Sequence, residues 1–180
     1  DYYSKDGQYL GNDGIDDDKA YVADGKNDDG TFKNATELSV PHSVLLKFAS
    51  AIHNESSGKL FESFSIASAF NNFVNVKNVK DVTLTTLVSQ ANSYSFGVSS
   101  EHFEEFMSAY NDGGGDSKCG ISAAINTLTG GQDYSNGATL WDGGDLLHKS
   151  FQGGSKRSWG LGVYEVHGQG MNDFYQKKWG

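Results

Sequence analysis

Glu55 stands three residues beyond Ile52 and seven beyond Phe48, so a helix that buries Val44, Leu45, Phe48, Ala51 and Ile52 would carry its carboxyl to the end of an apolar stripe. A carboxyl held against apolar side chains loses hydration of its charged form, its pKa rises, and it can keep a proton for donation to a glycosidic oxygen. The competing role is an ordinary exposed Glu at a frayed helix end, and periodicity alone does not choose. Glycosidases commonly use a second carboxylate, about 5 Å away when it is a nucleophile and about 6.5–9.5 Å away when it activates water. Glu62, Asp133 and Asp142 are the candidates for that place, each with a structural hydrogen bond or plain solvation as the alternative. Glu62 lies seven residues from Glu55, but Gly58 between them is expected to redirect the chain. Tyr94, Tyr134 and Trp141 have rings that can stack on sugar faces, with Ser95 and Asn136 supplying hydrogen bonds; core packing is the alternative, evenly weighed for Trp141.

The elements that must position these groups follow from pattern. From Asp1 to about Lys33, short aromatic runs (Tyr2-Tyr3, Tyr9-Leu10, Tyr21-Val22) alternate with Asp, Gly and Asn, which reads as small strands and tight turns. The acidic stretch of Asp13, Asp16, Asp17 and Asp18 fits no EF-hand spacing and reads as a solvated turn. The helix leading to Glu55 has Pro41 near its start and Gly58 after its end. Leu60 to about Val76 is apolar on nearly every side, which predicts a central, buried helix. Further helices are predicted over Thr83 to Ala91, over Ser100 to Tyr110 with Glu101, Glu104 and Glu105 near its positive end, and from about Gly120 to Leu128. Gly113 to Gly115 reads as a flexible loop, and Trp159 to Val166 as a strand weakened by Gly160 and Gly162. The expectation is a mainly α (α+β) chain of one domain, 1–180, with residues 1–33 as a β-rich lead-in and short strands near the C-terminus.

Composition narrows the partners. With 180 residues, 37% hydrophobic, 13% aromatic and a single proline, the chain is long enough for a real core and too apolar for a disordered segment. A net charge of −9 argues against nucleic acid, which is held by clustered Lys and Arg, and disfavours wall surfaces rich in anionic polymers. The lone Cys119 excludes an internal disulfide, in keeping with synthesis in a reducing cytoplasm. No apolar run reaches the roughly 20 residues of a membrane span, and Asp1 to Gly7 lacks the basic and apolar regions of a signal peptide. Starting at Asp1 is compatible with a processed form or a domain of a longer chain, which leaves export open. No HExxH or paired-Cys motif occurs, so a reaction without metal or cofactor is expected.

Three local blocks, in order, carry a family resemblance. The first is Glu55-Ser56-Ser57-Gly58-Lys59-Leu60-Phe61-Glu62, followed by Ala67-Ser68-Ala69 and Asn72. The second is Val88-Ser89-Gln90-Ala91-Asn92-Ser93-Tyr94-Ser95-Phe96. The third is Asp133-Tyr134-Ser135-Asn136-Gly137-Ala138-Thr139-Leu140-Trp141. Together they resemble the spore-cortex-lytic type of bacterial cell-wall hydrolase, in the lysozyme-like superfamily, and span about half of the chain. The resemblance implies a helical lysozyme-like fold and hydrolysis or transglycosylation of the peptidoglycan glycan strand. It also implies Glu55 as catalytic acid, with Gln90, Tyr94, Ser95, Tyr134, Asn136 and Trp141 along the glycan. The chain departs from the pattern at Ser57 and Lys59 and at Ser93 and Tyr94, where substrate contacts would differ. Lys5-Asp6-Gly7-Gln8-Tyr9-Leu10-Gly11 also looks like segments preceding the toxic domains of bacterial antagonism proteins, including type VI secretion effectors. That implies synthesis in the cytoplasm, antibacterial action as a monomer in the periplasm or wall of a target cell, and a cognate immunity protein as partner.

Two other readings compete. Cys119 ahead of a helix invites a thiol amidase or peptidase with His102, His148 or His167 as base, although free Cys is commonly a small buried hydrophobe. The other is a glycan-binding module that keeps the cleft and lacks turnover.

Overall fold

The computed structural model describes residues 1–56, 58–76, 100–113, 115–138, 140–143, 163–169 and 172–177, the last three segments by their backbone alone. In chain order the elements are β1 (Tyr2–Tyr3), β2 (Tyr9–Gly11), β3 (Lys19–Val22), β4 (Thr36–Pro41), α1 (His42–Glu55), α2 (Leu60–Val76), α3 (Ser100–Asn111), α4 (Gly115–Leu128), β5 (Leu140–Gly143), β6 (Val163–Gln169) and β7 (Asn172–Lys177). The class is α+β, with strands at both ends of a helical middle. The helix expected over Thr83 to Ala91 lies outside the described residues.

The N-terminal sheet has the order β2-β1-β3-β4, with β1 parallel to β3 and the other pairs antiparallel. Alternation turns Tyr3, Ala20, Val22, Leu38 and Val40 into the core. On the other face, Tyr2 stacks between Phe32 and Tyr21, at ring separations of 3.7 and 4.7 Å. The sheet runs past Lys33 to Pro41, because Leu38 and Val40 give Thr36–Pro41 a buried face that binds it to β3. Pro41 then opens α1 without a side-chain cap of its own. The cap comes from Asp18, whose carboxylate accepts from the Ser43 backbone N–H and the Ser43 hydroxyl, both at 2.8 Å. These bonds, the backbone one foremost, hold the Asp18 carboxyl below its usual value against the opposing effect of desolvation. One aspartate of the acidic stretch is therefore a remote helix cap.

The core forms where α1, α2 and α4 meet. Leu45, Phe48, Ala49 and Ile52 of α1 pack with Ile66, Ala67, Ala69 and Phe70 of α2 and Ile121, Ala124 and Ile125 of α4, and Phe106 of α3 closes the cluster. Close approach of α4 to α1 depends on Gly120: a Cβ there would lie 2.6 Å from the Ala49 carbonyl oxygen. The last helix starts at Gly115, five residues before the expected Gly120. Glycine composition suggested a loop, but helix positions after Gly115 are secured by tertiary contact. Ser117 is buried, Gly7 abuts the Lys118 carbonyl, and the Ser122 hydroxyl donates to the Lys5 carbonyl at 2.7 Å. Near the C-terminus β5, β7 and β6 form an antiparallel ribbon in that order, with β5 beside α2.

Candidate functional site

The apolar stripe of α1 ends at Ile52, and Glu55, the last residue of the helix, has an exposed side chain. Ser56 ends the helix in extended geometry, with its N–H on the Ile52 and His53 carbonyls at 3.1 and 3.3 Å. Gly58 takes the left-handed φ of 77° and turns the chain back. That reversal sets the start of α2 beside the end of α1, where the Ser63 hydroxyl donates to the Ser56 hydroxyl at 3.2 Å. Ser56 follows Glu55 and Ser63 follows Glu62, so the two glutamates are chain neighbours of a directly bonded pair. Their surroundings are opposite: Glu62, in the first turn of α2, has 0% exposure. The shelter expected at Glu55 is found at Glu62, because the returning helix tucks its first turn inward while α1 ends at the surface.

A second network joins the first and third motif blocks. Ser65, Ser68 and Asn72 form one face of α2, spaced for successive helical turns. The Ser65 hydroxyl donates to the Tyr134 carbonyl at 2.9 Å, and the Tyr134 N–H donates to the Ser68 hydroxyl at 3.0 Å. The Asn72 amide nitrogen lies 3.0 Å from an Asp133 carboxylate oxygen and 3.0 Å from the Ala138 carbonyl. Asp133 also accepts from the Ser135 N–H and hydroxyl, both at 2.7 Å, and from the Gly137 N–H at 3.0 Å. Desolvation pushes its carboxyl pKa up, but the combined hydrogen bonds from Asn72, Ser135 and Gly137 outweigh it and leave the value below the usual one. Both oxygens of Asp133 are thereby occupied in shaping the loop. Asn136 and Gly137 have φ of 55° and 78°, and Asn136 is exposed on this turn.

Tyr134 is half-buried against α2, its ring 5.0 Å from that of Phe64 and 6.2 Å from that of Phe61. Phe61 itself is 59% exposed, and Leu60 beside it 47%. This apolar shelf, one residue from Glu62, was missed in the sequence because Phe61 fits the apolar run of a buried helix; its place in the first turn leaves it outside the core. On β5, Trp141 stands opposite Phe174 and Asp142 opposite Asp173 in the register with β7. Gln90, Tyr94, Ser95 and His148 lie outside the described residues.

Cys119 is partly buried and sits in the second turn of α4, inside the helix rather than ahead of it. The helix-terminus argument for a thiolate therefore loses its basis. His102 lies on an exposed face of α3, and His167 is in β6. Among the described residues, no group of three or more His, Cys, Asp or Glu is placed to hold a metal ion, and no helix is long and apolar enough to cross a membrane. Comparison of the chain with protein-family models, curated proteins and solved structures finds no match.

Proposed function

We propose that this protein cleaves the glycan strand of bacterial peptidoglycan, as a muramidase or lytic transglycosylase of lysozyme-like fold, with Glu55 as the proton donor. The observation carrying this reading is the lock between the two motif blocks: the Asp133–Ala138 loop is bonded to Ser65, Ser68 and Asn72 on the helix that starts beside Glu55. The Glu55 side chain is exposed, and a bound strand would supply the exclusion of water that lets a carboxyl keep its proton. Glu62 is fully buried and both oxygens of Asp133 accept hydrogen bonds within the loop, which disfavours either as a second catalytic carboxylate. The remaining routes are Asp142 as base, or attack by the sugar's own hydroxyl with Glu55 alone. Phe61 and Tyr134 offer stacking faces, and Asn136, Trp141, Gln90, Tyr94 and Ser95 are assigned to the glycan on the family resemblance. In this reading the protein is an antibacterial toxin, made in the cytoplasm and delivered to the periplasm or wall of a target cell. A cognate immunity protein protects the producer, and no cofactor takes part.

Mass spectrometry of purified peptidoglycan tests this directly. Wild-type protein is expected to release muropeptides with reducing or anhydro ends, and folded Glu55→Gln to release none. Products cut only at amide bonds, or normal turnover by Glu55→Gln, would sink the proposal. The exposed Phe61 shelf equally suits a glycan-binding module, and retention on peptidoglycan with no soluble product would favour that reading.

A further inference from the structure

His42 lies at the opposite end of α1 from Glu55, about 20 Å away along the helix axis. It lines a cavity of about 520 Å³ whose walls include Asp1, Tyr9, Leu46, Met107, Tyr110 and Lys118. Cavities of a few hundred Å³ are the usual size for small-molecule sites. Four separate parts of the chain meet here: the N-terminal stretch from Asp1 to Tyr9, α1, α3 and α4.

A hydrogen-bonded relay runs from this cavity into the core. Asp1 Oδ2 is 3.1 Å from His42 Nδ1, His42 Nε2 is 2.7 Å from the Tyr3 hydroxyl, and that hydroxyl is 3.0 Å from the Tyr110 hydroxyl. Valence sets its direction. A carboxylate only accepts, so Nδ1 carries a proton, and in the neutral ring Nε2 is then the acceptor. The Tyr3 hydroxyl gives its single proton to Nε2, and Tyr110 donates to Tyr3. Burial of His42, opposed by Asp18, lowers its pKa and favours this neutral ring. Tyr9 adds a further donor to Asp1, from its hydroxyl to Oδ1 at 2.9 Å.

Every proton of the relay is thus directed toward Asp1, and Tyr110 is left with oxygen lone pairs only. The residues lining the cavity therefore include two with acceptor oxygens, Asp1 and Tyr110, one cationic residue, Lys118, and two apolar ones, Leu46 and Met107. A ligand matching all three has an ammonium, a carboxylate and a compact apolar body. We propose that this cavity is a binding site for a small zwitterion of the α-amino-acid type, its ammonium held by Asp1 and Tyr110 and its carboxylate by Lys118. The site is separate from Glu55 and does not rest on the glycan reading.

Three probes of similar shape test the assignment on the full chain by calorimetry and chemical-shift perturbation: leucine, 3-methylbutylamine and 4-methylpentanoate. Leucine is expected to bind, the amine to bind more weakly, and the carboxylate not to bind measurably, with shifts centred on Leu46, Met107 and Tyr110. Tyr110→Phe should weaken leucine and the amine alike, by about tenfold, the scale of one hydrogen bond to a charged group. Lys118→Met should erase the advantage of leucine over the amine and leave the amine's affinity unchanged. Equal binding of 4-methylpentanoate and leucine, or no shift at the cavity residues with leucine in the millimolar range, overturns the proposal; both outcomes are read on the wild-type protein.

Discussion

Asn72 and Asp133 are 61 positions apart in sequence and joined by a 3.0 Å hydrogen bond, and the same amide group reaches the Ala138 carbonyl. That amide holds both ends of a loop against one helix. Replacing Asp133 by Asn removes a charge that four donor groups converge on, and should cost about 1–3 kcal/mol by urea denaturation at neutral pH. The pH dependence has a defined sign. The folded pKa is below the usual 3.8, so the contribution of Asp133 is complete above that value and is lost as pH falls through the folded pKa. The stability gap between wild type and Asp133→Asn should therefore narrow in acid; a gap that stays constant down to pH 2 contradicts this role.

Glu55 and Glu62 should respond oppositely to truncation. Glu55 is exposed at the end of α1, so Glu55→Gln is expected to change stability by no more than about 0.5 kcal/mol. Glu62 is fully enclosed, so Glu62→Ala leaves a cavity and should cost about 2 kcal/mol or more. Thermal and urea unfolding of the two variants decide the matter, and equal stability losses would contradict the contrast in burial.

Two glycines of α4 offer an internal comparison. A Cβ at Gly120 meets the Ala49 carbonyl at 2.6 Å, whereas one at Gly115 meets nothing within 4 Å. Gly120→Ala forces α1 and α4 apart, an overpacking cost of about 1–3 kcal/mol that exceeds the gain in helix propensity. Gly115→Ala should be neutral or stabilise by up to about 1 kcal/mol. Denaturation midpoints in that order support the close helix crossing, and the reverse order refutes it.

His42 supplies a pH dependence near neutrality. Its neighbours are the Asp1 carboxylate, Asp18 and the Tyr3 hydroxyl, which is itself bonded to Tyr110, and burial is the largest influence lowering its pKa from 6.5. The unfolded chain then binds the proton more readily than the folded one, so the stability linked to His42 is present above pH 6.5 and lost as pH falls through the folded value. His42→Gln should flatten this part of the stability profile between pH 7 and pH 5. A profile with unchanged slope would mean that His42 does not set it.

Much of the local structure was legible. The bounds of α2 follow from an apolar run between Gly58 and the polar residues after it, and α1 from its stripe and Pro41. Side-chain period reports which face of an element avoids water, and glycine and proline report where the backbone must turn. Those are properties of a few consecutive residues, so a single sequence carries them. The short strands within residues 1–33, the part of β6 from Val163 to Val166 and the α+β class followed from the same kind of pattern, whereas β4, β5 and β7 did not; residues 159–162 of the expected strand lie outside the described residues.

The chain's partnerships required the folded molecule. Asp18 reads as one acid among several until Ser43, 25 residues on, brings its backbone to that carboxylate. Glu55 continues a buried stripe by spacing, yet the reversal at Gly58 gives the enclosed position to Glu62. The relay of Asp1, His42, Tyr3 and Tyr110 has no local signature, since Tyr3 and Tyr110 are 107 positions apart. Hydrogen bonds and burial of this kind depend on where distant segments meet, and that is set by the packing of the whole core rather than by any window of sequence.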